Sequence, residues 1–293
     1  MKKIAMTVVM LTLTATTCMA QALTLVFKQV EYVDSIFVDV KLMDYSGDEP
    51  TYQMGKARED FSVRTLQVVN GPTKAMEFMN QWLMIDAAGL GIDGPVNAKT
   101  VGEKFNELKA KPEYAGKELD INTILRVRGS QFLAPGNPDE PEEAWGEIGN
   151  QTFNTVSVVK NTRSYVTLYD EGYDYPSGAA HGMPWSVYRT FDLNNMRLLT
   201  IDDIFTKAGK RKVLQMLIKE LRDEYSGDGL MESIGFPYND PAFTDKGIVF
   251  TYGAYEIGPY SMGMPEVCLP YNKVKKYMTP QANALYSGKP ILR

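Results

Sequence analysis

The sequence predicts an α+β fold: mixed or antiparallel sheets with helices packed on one face, arranged as two α/β subdomains in tandem. Three observations lead there. Strand-like runs of alternating and β-branched residues cluster toward both ends of the chain, and helix-periodic segments are grouped between them. An apolar fraction of 44% with 23% charged residues is ordinary globular usage, which excludes disordered, collagenous and coiled-coil chains. The 293 residues suffice for one large or two modest domains, and a proline-rich acidic stretch at 134–146 divides them into segments 21–133 and 147–293.

The first segment opens with strand material at 23–30, followed by Ile36, Val38, Val40 and Leu42 alternating with Phe37, Asp39, Lys41 and Met43. This pattern predicts paired strands at a sheet edge or in a hairpin. A helix is predicted over 74–88, with Ala75, Phe78, Met79, Trp82 and Ile85 on one face, Thr73 as N-cap and Gly89 as the stop. A second helix follows from a capping box between Thr100 and Glu103, carries Val101, Phe105 and Leu108 as its stripe, and ends before Pro112. A strand over 121–128 closes this segment. Residues 134–144 combine three prolines with four carboxylates, so they predict an exposed loop. Its oxygens lack the ligand rhythm of a calcium loop, and a solvated hinge is the simpler reading.

In the second segment, strands are predicted near 152–159, 164–169 and 185–193, followed by a helix over 210–225. That helix buries Val213, Leu214, Leu217, Ile218 and Leu221, pairs Lys219 with Asp223 at i,i+4, and stops at Gly227. Strands at 248–252 and 266–269 flank a Gly/Pro/Tyr loop, and a short helix at 273–278 stops before Pro280.

Lys2 and Lys3 followed by the uncharged run 4–17 form a signal-peptide pattern over residues 1–20. The uncharged run is too short to span a bilayer. Cleavage is expected before Gln21, with a second possible cut before Leu23. A lipidated Cys18 is the alternative, although Ala15-Thr16-Thr17 lacks the leucine such motifs carry. The expected location is therefore the periplasm or cell surface, with membrane association only through Cys18. The mature chain keeps 29 basic against 36 acidic residues, a net charge of −7. Such a surface disfavours nucleic acid and anionic membranes and favours cationic proteins. Only Cys268 remains after cleavage, so no internal disulfide can form; its apolar setting reads as a buried, inert thiol.

One histidine and two cysteines exclude multi-histidine metal sites, zinc fingers and CxxC redox pairs, and no cofactor is expected. His181 stands in a turn-like Ala180-His181-Gly182 near Asp170, Glu171 and Asp174. It reads either as a general base or as an imidazole bonding local backbone, and no GxSxG elbow supplies a nucleophile for it. The loop 252–266 holds Tyr252, Tyr255, Glu256, Tyr260 and Glu266 among glycines and prolines. It reads either as a rigid recognition surface or as a tyrosine-packed connector whose Glu256 accepts backbone N–H bonds. Tyr173, Tyr175 and Trp185 suggest a second aromatic cluster around His181. Asp202-Asp203 permits glycosidase chemistry, but after Thr200 the second carboxylate is in helix-capping position. The candidate ligand-binding residues are Tyr255, Glu256, Tyr260, His181 and Trp185.

Four landmarks occur in order: Ser177-Gly178-Ala179-Ala180-His181-Gly182, Arg189-Thr190-Phe191-Asp192-Leu193, Leu198-Leu199-Thr200-Ile201-Asp202-Asp203-Ile204-Phe205, and Tyr252-Gly253-Ala254-Tyr255-Glu256-Ile257-Gly258-Pro259-Tyr260. Over residues 150–280 this order resembles the extracytoplasmic domain of RsiV-type anti-sigma factors, a domain of unknown function within a lysozyme receptor. Residues 23–130 resemble the domain that accompanies it in RsiV and in PdaC-type peptidoglycan deacetylases. The chain shows neither the sigma-binding segment and transmembrane helix of the receptors nor the histidine-rich catalytic domain of the deacetylases. The resemblance thus implies an exported recognition module, with a lysozyme-like protein or a cell-wall glycan as its partner. An envelope-glycan hydrolase using His181 or paired carboxylates is the alternative.

Overall fold

The computed structural model describes residues 24–44, 49, 51–134, 143–144, 149–225 and 229–288. The leader at 1–20, the cut before Gln21, Cys18, the helix stop at Gly227 and most of the acidic stretch 134–146 lie outside the described residues. The fold is α+β, built on two open sheets. The larger contains β1 (Val26–Asp44), β2 (Thr51–Asn70), β3 (Glu143–Ala144), β4 (Gln151–Asn161), β5 (Tyr165–Tyr175), β6 (Met183–Asp192) and β7 (Arg197–Leu198). Their spatial order is β3-β1-β2-β4-β5-β6-β7. Neighbours are antiparallel except β1 with β3 and β2 with β4, which run parallel. The smaller sheet has the order β10-β9-β8, formed by β8 (Ala242–Phe243), β9 (Gly247–Thr251) and β10 (Glu266–Pro270).

The larger sheet crosses the boundary between the two segments, because β2 pairs with β4 through Asp60–Arg64 and Gln151–Thr155. One core lies between this sheet and three helices, α1 (Thr73–Ala87), α2 (Ala98–Ala110) and α3 (Ile121–Phe132), and it draws Val156, Val166, Leu168 and Phe191 from the second segment. Phe191 is fully buried there, with its ring 4.6 Å from Trp82 and 6.1 Å from Phe78. Burial of such a side chain contributes about 1.5–3 kcal/mol.

The second core gathers β8, β9 and β10 with α4 (Ile201–Ile204), α5 (Lys207–Glu224), α6 (Tyr271–Val274) and α7 (Pro280–Ser287). It meets the opposite face of the larger sheet at β5 and β6. Tyr165 packs edge-on against Phe243 there, and the Thr190 hydroxyl accepts the Phe243 N–H at 2.9 Å. Strand alternation therefore sorts β5 cleanly: Val166, Leu168, Asp170, Gly172 and Asp174 face the α1–α3 layer, while Tyr165, Thr167, Tyr169, Glu171 and Tyr173 face the other way.

Several elements differ from the sequence reading. The two predicted N-terminal strand pieces are one 19-residue strand, and its partner β2 carried no prediction. Residues 121–128 form helix rather than strand. Asp120 caps it by accepting the Thr123 N–H at 2.7 Å, and Ile121, Ile124 and Leu125 bury one helical face, so capping and burial override a β-branched composition. Thr73 is the first helical residue of α1, behind Pro72. The capping box of α2 lies one turn earlier than read, between Asn97 and Thr100. Pro280 opens α7 instead of only ending its predecessor, with Thr279 as N-cap, as the missing N–H of proline permits.

Candidate functional site

The loop between β9 and β10 and the turn between β5 and β6 meet at one end of the second core. Tyr252 anchors the loop: its ring is fully buried, and its hydroxyl donates to the Gly235 carbonyl at 2.9 Å. Burial pushes this phenol well above its ordinary value, with the Glu256 charge acting in the same direction. Glu256 is then consumed by the loop. One carboxylate oxygen accepts the Gly253 N–H and the other the Tyr238 N–H, both at 2.7 Å. The next aromatics are thereby fixed without being buried.

Tyr255 is half exposed and sits at φ +67, the left-handed region that a bulky residue rarely adopts. This backbone directs its hydroxyl to His181 Nε2 at 3.0 Å. The His181 ring stacks on Tyr260 with centroids 4.0 Å apart and planes inclined by 25°, and the Tyr255 and Tyr260 centroids are 5.5 Å apart. The Tyr260 hydroxyl donates to the Gly182 carbonyl at 2.8 Å, and His181 Nδ1 lies 3.1 Å from the same oxygen. With Nδ1–H donating to that carbonyl, Nε2 is the acceptor for the tyrosine hydroxyl. Gly182 admits this closeness because a Cβ there would stand 2.2 Å from the Tyr173 ring; its N–H bonds the Tyr173 hydroxyl at 3.1 Å.

Three of the five sequence-derived candidates, His181, Tyr255 and Tyr260, are thus in mutual contact. Glu256 braces their loop. Trp185 belongs elsewhere: it pairs across β5 with Gly172, its ring overlies that glycine, and it faces the α1–α3 side of the sheet. The aromatic cluster envisaged around His181 therefore holds Tyr173 but not Trp185. Tyr238 escaped the sequence reading. It is 93% exposed and is tied to the same loop through Glu256. The only sequence signal for it is an aromatic residue between Pro237 and Pro241. Tyr238 also borders a cleft of about 160 Å³ lined by Tyr188, Arg189, Asn239 and Asp240 among others.

The carboxylate pair is divided between two structural tasks. Asp203 accepts the Thr200 N–H at 2.9 Å and bonds Arg197 at 2.6 Å. Burial acts to raise its carboxyl, but these hydrogen bonds outweigh it and hold the group below the ordinary carboxylate value. Asp202 pairs with Lys210 on the surface. Among the described residues no group of three or more His, Cys, Asp or Glu side chains could hold a metal ion, and no helix is long and apolar enough to cross a membrane.

Residues 202–272 match the family described as "Protein of unknown function (DUF3298)". This region holds the 252–266 loop, whereas His181 precedes it. A crystal structure of a DUF3298 family protein from Pseudomonas aeruginosa PAO1 has a TM-score of 0.50 at 15% identity, covering 86% of this chain and 96% of that one. That likeness is one of fold. A crystal structure of a DUF3298 family member from Bacteroides fragilis NCTC 9343 has a TM-score of 0.48 at 19% identity, covering 88% of this chain and 96% of that one. A comparison with curated proteins finds no match.

Proposed function

We propose that this chain is an exported, non-enzymatic recognition module of the RsiV-like type, and that its His181–Tyr255–Tyr260 surface binds a cationic lysozyme-like protein. The observation that carries this reading is Tyr255, half exposed, its hydroxyl held on His181 by a backbone in an unfavourable conformation. Strain kept at an exposed aromatic favours a surface selected for contact. Tyrosines already fixed in place lose little conformational entropy on binding. An excess of 36 acidic over 31 basic residues favours a cationic partner.

The hydrolase alternative is less well supported. Both His181 nitrogens are engaged by a carbonyl and a phenol rather than by an orienting carboxylate, and Asp202 and Asp203 have separate cation partners. Calorimetry of the secreted chain with a lysozyme-type protein, repeated across ionic strength, tests the proposal. Binding should weaken as salt rises, and Tyr255→Ala should cost about 1–3 kcal/mol of affinity while barely moving the melting temperature. Undiminished affinity in both Tyr255→Ala and Tyr260→Ala refutes the assigned surface.

A further inference from the structure

The cleft beside Tyr238 lies where the larger sheet stops. β7 pairs with β6 only at Phe191 with Leu198 and Asp192 with Arg197, and the Leu199 N–H adds one bond to the Thr190 carbonyl at 2.8 Å. The chain then leaves the sheet at Thr200 and enters α4. No other strand lies on that side of β6 among the described residues, so 183–189 form a free edge. Because the Thr190 carbonyl points toward β7, strand alternation turns the backbone groups of Tyr188 and Ser186 the same way. Among the described residues no backbone bond of either crosses that edge.

The cleft opens at this point. Val187 and Tyr188 of the free edge line it together with Leu198 and Leu199, where β7 ends, and with Tyr238 and Asp240. Sites for drug-sized molecules span about 300–1,000 Å³. At about 160 Å³ this cleft has room for one side chain. An open strand edge takes an extended peptide through its N–H and C=O groups, and the pocket beside it sets which residue is accepted.

Charge decides that residue. Asp240 accepts the Ile201 N–H at 2.8 Å, one residue along from the Thr200 N–H that Asp203 accepts. Asp203 has Arg197 and Asp202 has Lys210, whereas Asp240 has no cation partner among the described residues. Burial raises its carboxyl above the ordinary value against the Ile201 hydrogen bond, and Asp203 and Asp202 add to the rise. Arg189 lines the cleft too, but its guanidinium is held by Asp170 at 2.7 Å and lies 5.6 Å from the Trp82 ring centre. Asp240 is thus the uncompensated charge of the lining.

We infer that the free edge of β6 takes an extended peptide segment as an added strand in line with β7, with a lysine or arginine of that segment seated in the cleft against Asp240. Tyr188 supplies the backbone pairing, and the exposed Tyr238 ring offers contact to the apolar stem of the basic side chain. The site goes beyond the lysozyme-type reading, because it asks for an extended segment and because neither Tyr255 nor Tyr260 lines the cleft.

The test follows the backbone amide resonances of Tyr188 and Ser186 in the isotope-labelled full chain during titration with the probe acetyl-Thr-Val-Lys-Val-Thr-amide. Saturable shifts are expected. Replacing the probe's lysine by acetyl-lysine, or making Asp240→Asn in the protein, should weaken binding at least about tenfold. Only one of the two alternating sets of probe amides faces β6, so N-methylation of that set should abolish binding and N-methylation of the other should leave it nearly unchanged. That readout uses the wild-type chain, so it holds even where Asp240→Asn disturbs folding. An acetyl-lysine probe or an Asp240→Asn chain that binds as tightly as the parent pair overturns the site, as does equal loss from both N-methyl sets. No shift at Tyr188, or a dimer seen by sedimentation whose β6 edge is closed to the probe, overturns it as well. None of these outcomes bears on lysozyme-type binding at Tyr255.

Discussion

Replacing Asp86 by asparagine should stabilise the protein at alkaline pH and do much less in acid. The carboxyl moves from 3.8 to about 7 on folding, first because burial disfavours its charge and then because Asp170 lies close. Between these values the native state binds a proton that the unfolded chain has released, so stability falls as pH rises from about 4 to about 7. Going from about pH 5 to about pH 8 crosses roughly two units of that window, worth up to about 2.7 kcal/mol at 1.36 kcal/mol per unit. Solvent contact at the carboxylate screens part of this, and about 1–2 kcal/mol is the expected difference. Asparagine keeps the shape without the charge and should flatten that part of the pH profile. Urea denaturation of both chains at the two pH values measures it. A destabilisation by Asp86→Asn at alkaline pH, or an identical effect at both values, refutes the reasoning.

Asp203→Asn should cost about 1–3 kcal/mol at neutral pH, because the Arg197 bond and the carboxylate cap on Thr200 are both weakened. Since the folded carboxyl titrates below its ordinary 3.8, the wild-type advantage is complete above that value and is lost as pH falls through the lower folded value; equilibrium unfolding in acid reads this out. Tyr252→Phe should destabilise by about 1–2 kcal/mol by leaving the Gly235 carbonyl without its phenol, with the urea midpoint as the measure.

Much of this architecture is legible where one physical signal dominates. The stripe of α1 and the buried face of α5 follow from apolar periodicity alone. The pairing of the 252–266 loop with the His181 turn was approachable from their glycines and aromatics, because both connect strands of stacked sheets. Other features depend on tertiary context. The strand β2 mixes Lys56, Arg58, Glu59 and Asp60 with its apolar residues, so nothing local marks it. Helix α3 is decided by Asp120 and by the surface it buries, two facts that a β-branched run conceals. The charged surroundings of Asp86 are hidden from the sequence because Asp170, Arg189 and Arg128 come from β5, β6 and α3, separated by long stretches of chain. Each alone reads as an ordinary helix or strand charge.

The placement of Trp185 and Tyr173 shows how one hairpin serves both faces. In β5 and β6, consecutive side chains alternate between the α1–α3 layer and the second core. Tyr173 thus supports Gly182 and the His181 turn, while its neighbours Gly172 and Asp174 lie on the α1–α3 side. Gly172 is confined to that role, since a Cβ would stand 2.2 Å from the Trp185 ring. A one-residue slip in the β5–β6 register would exchange the two faces, putting Asp170 into the second core and Tyr173 against Arg128. The Thr167–Thr190 hydroxyl contact at 2.9 Å, with its onward bond to Phe243, forms in the observed register, so it ties the chemistry of both surfaces to one alignment. Loss of those hydroxyls should therefore disturb the tyrosine surface and the Asp170–Arg189 pair together, although neither threonine touches either one.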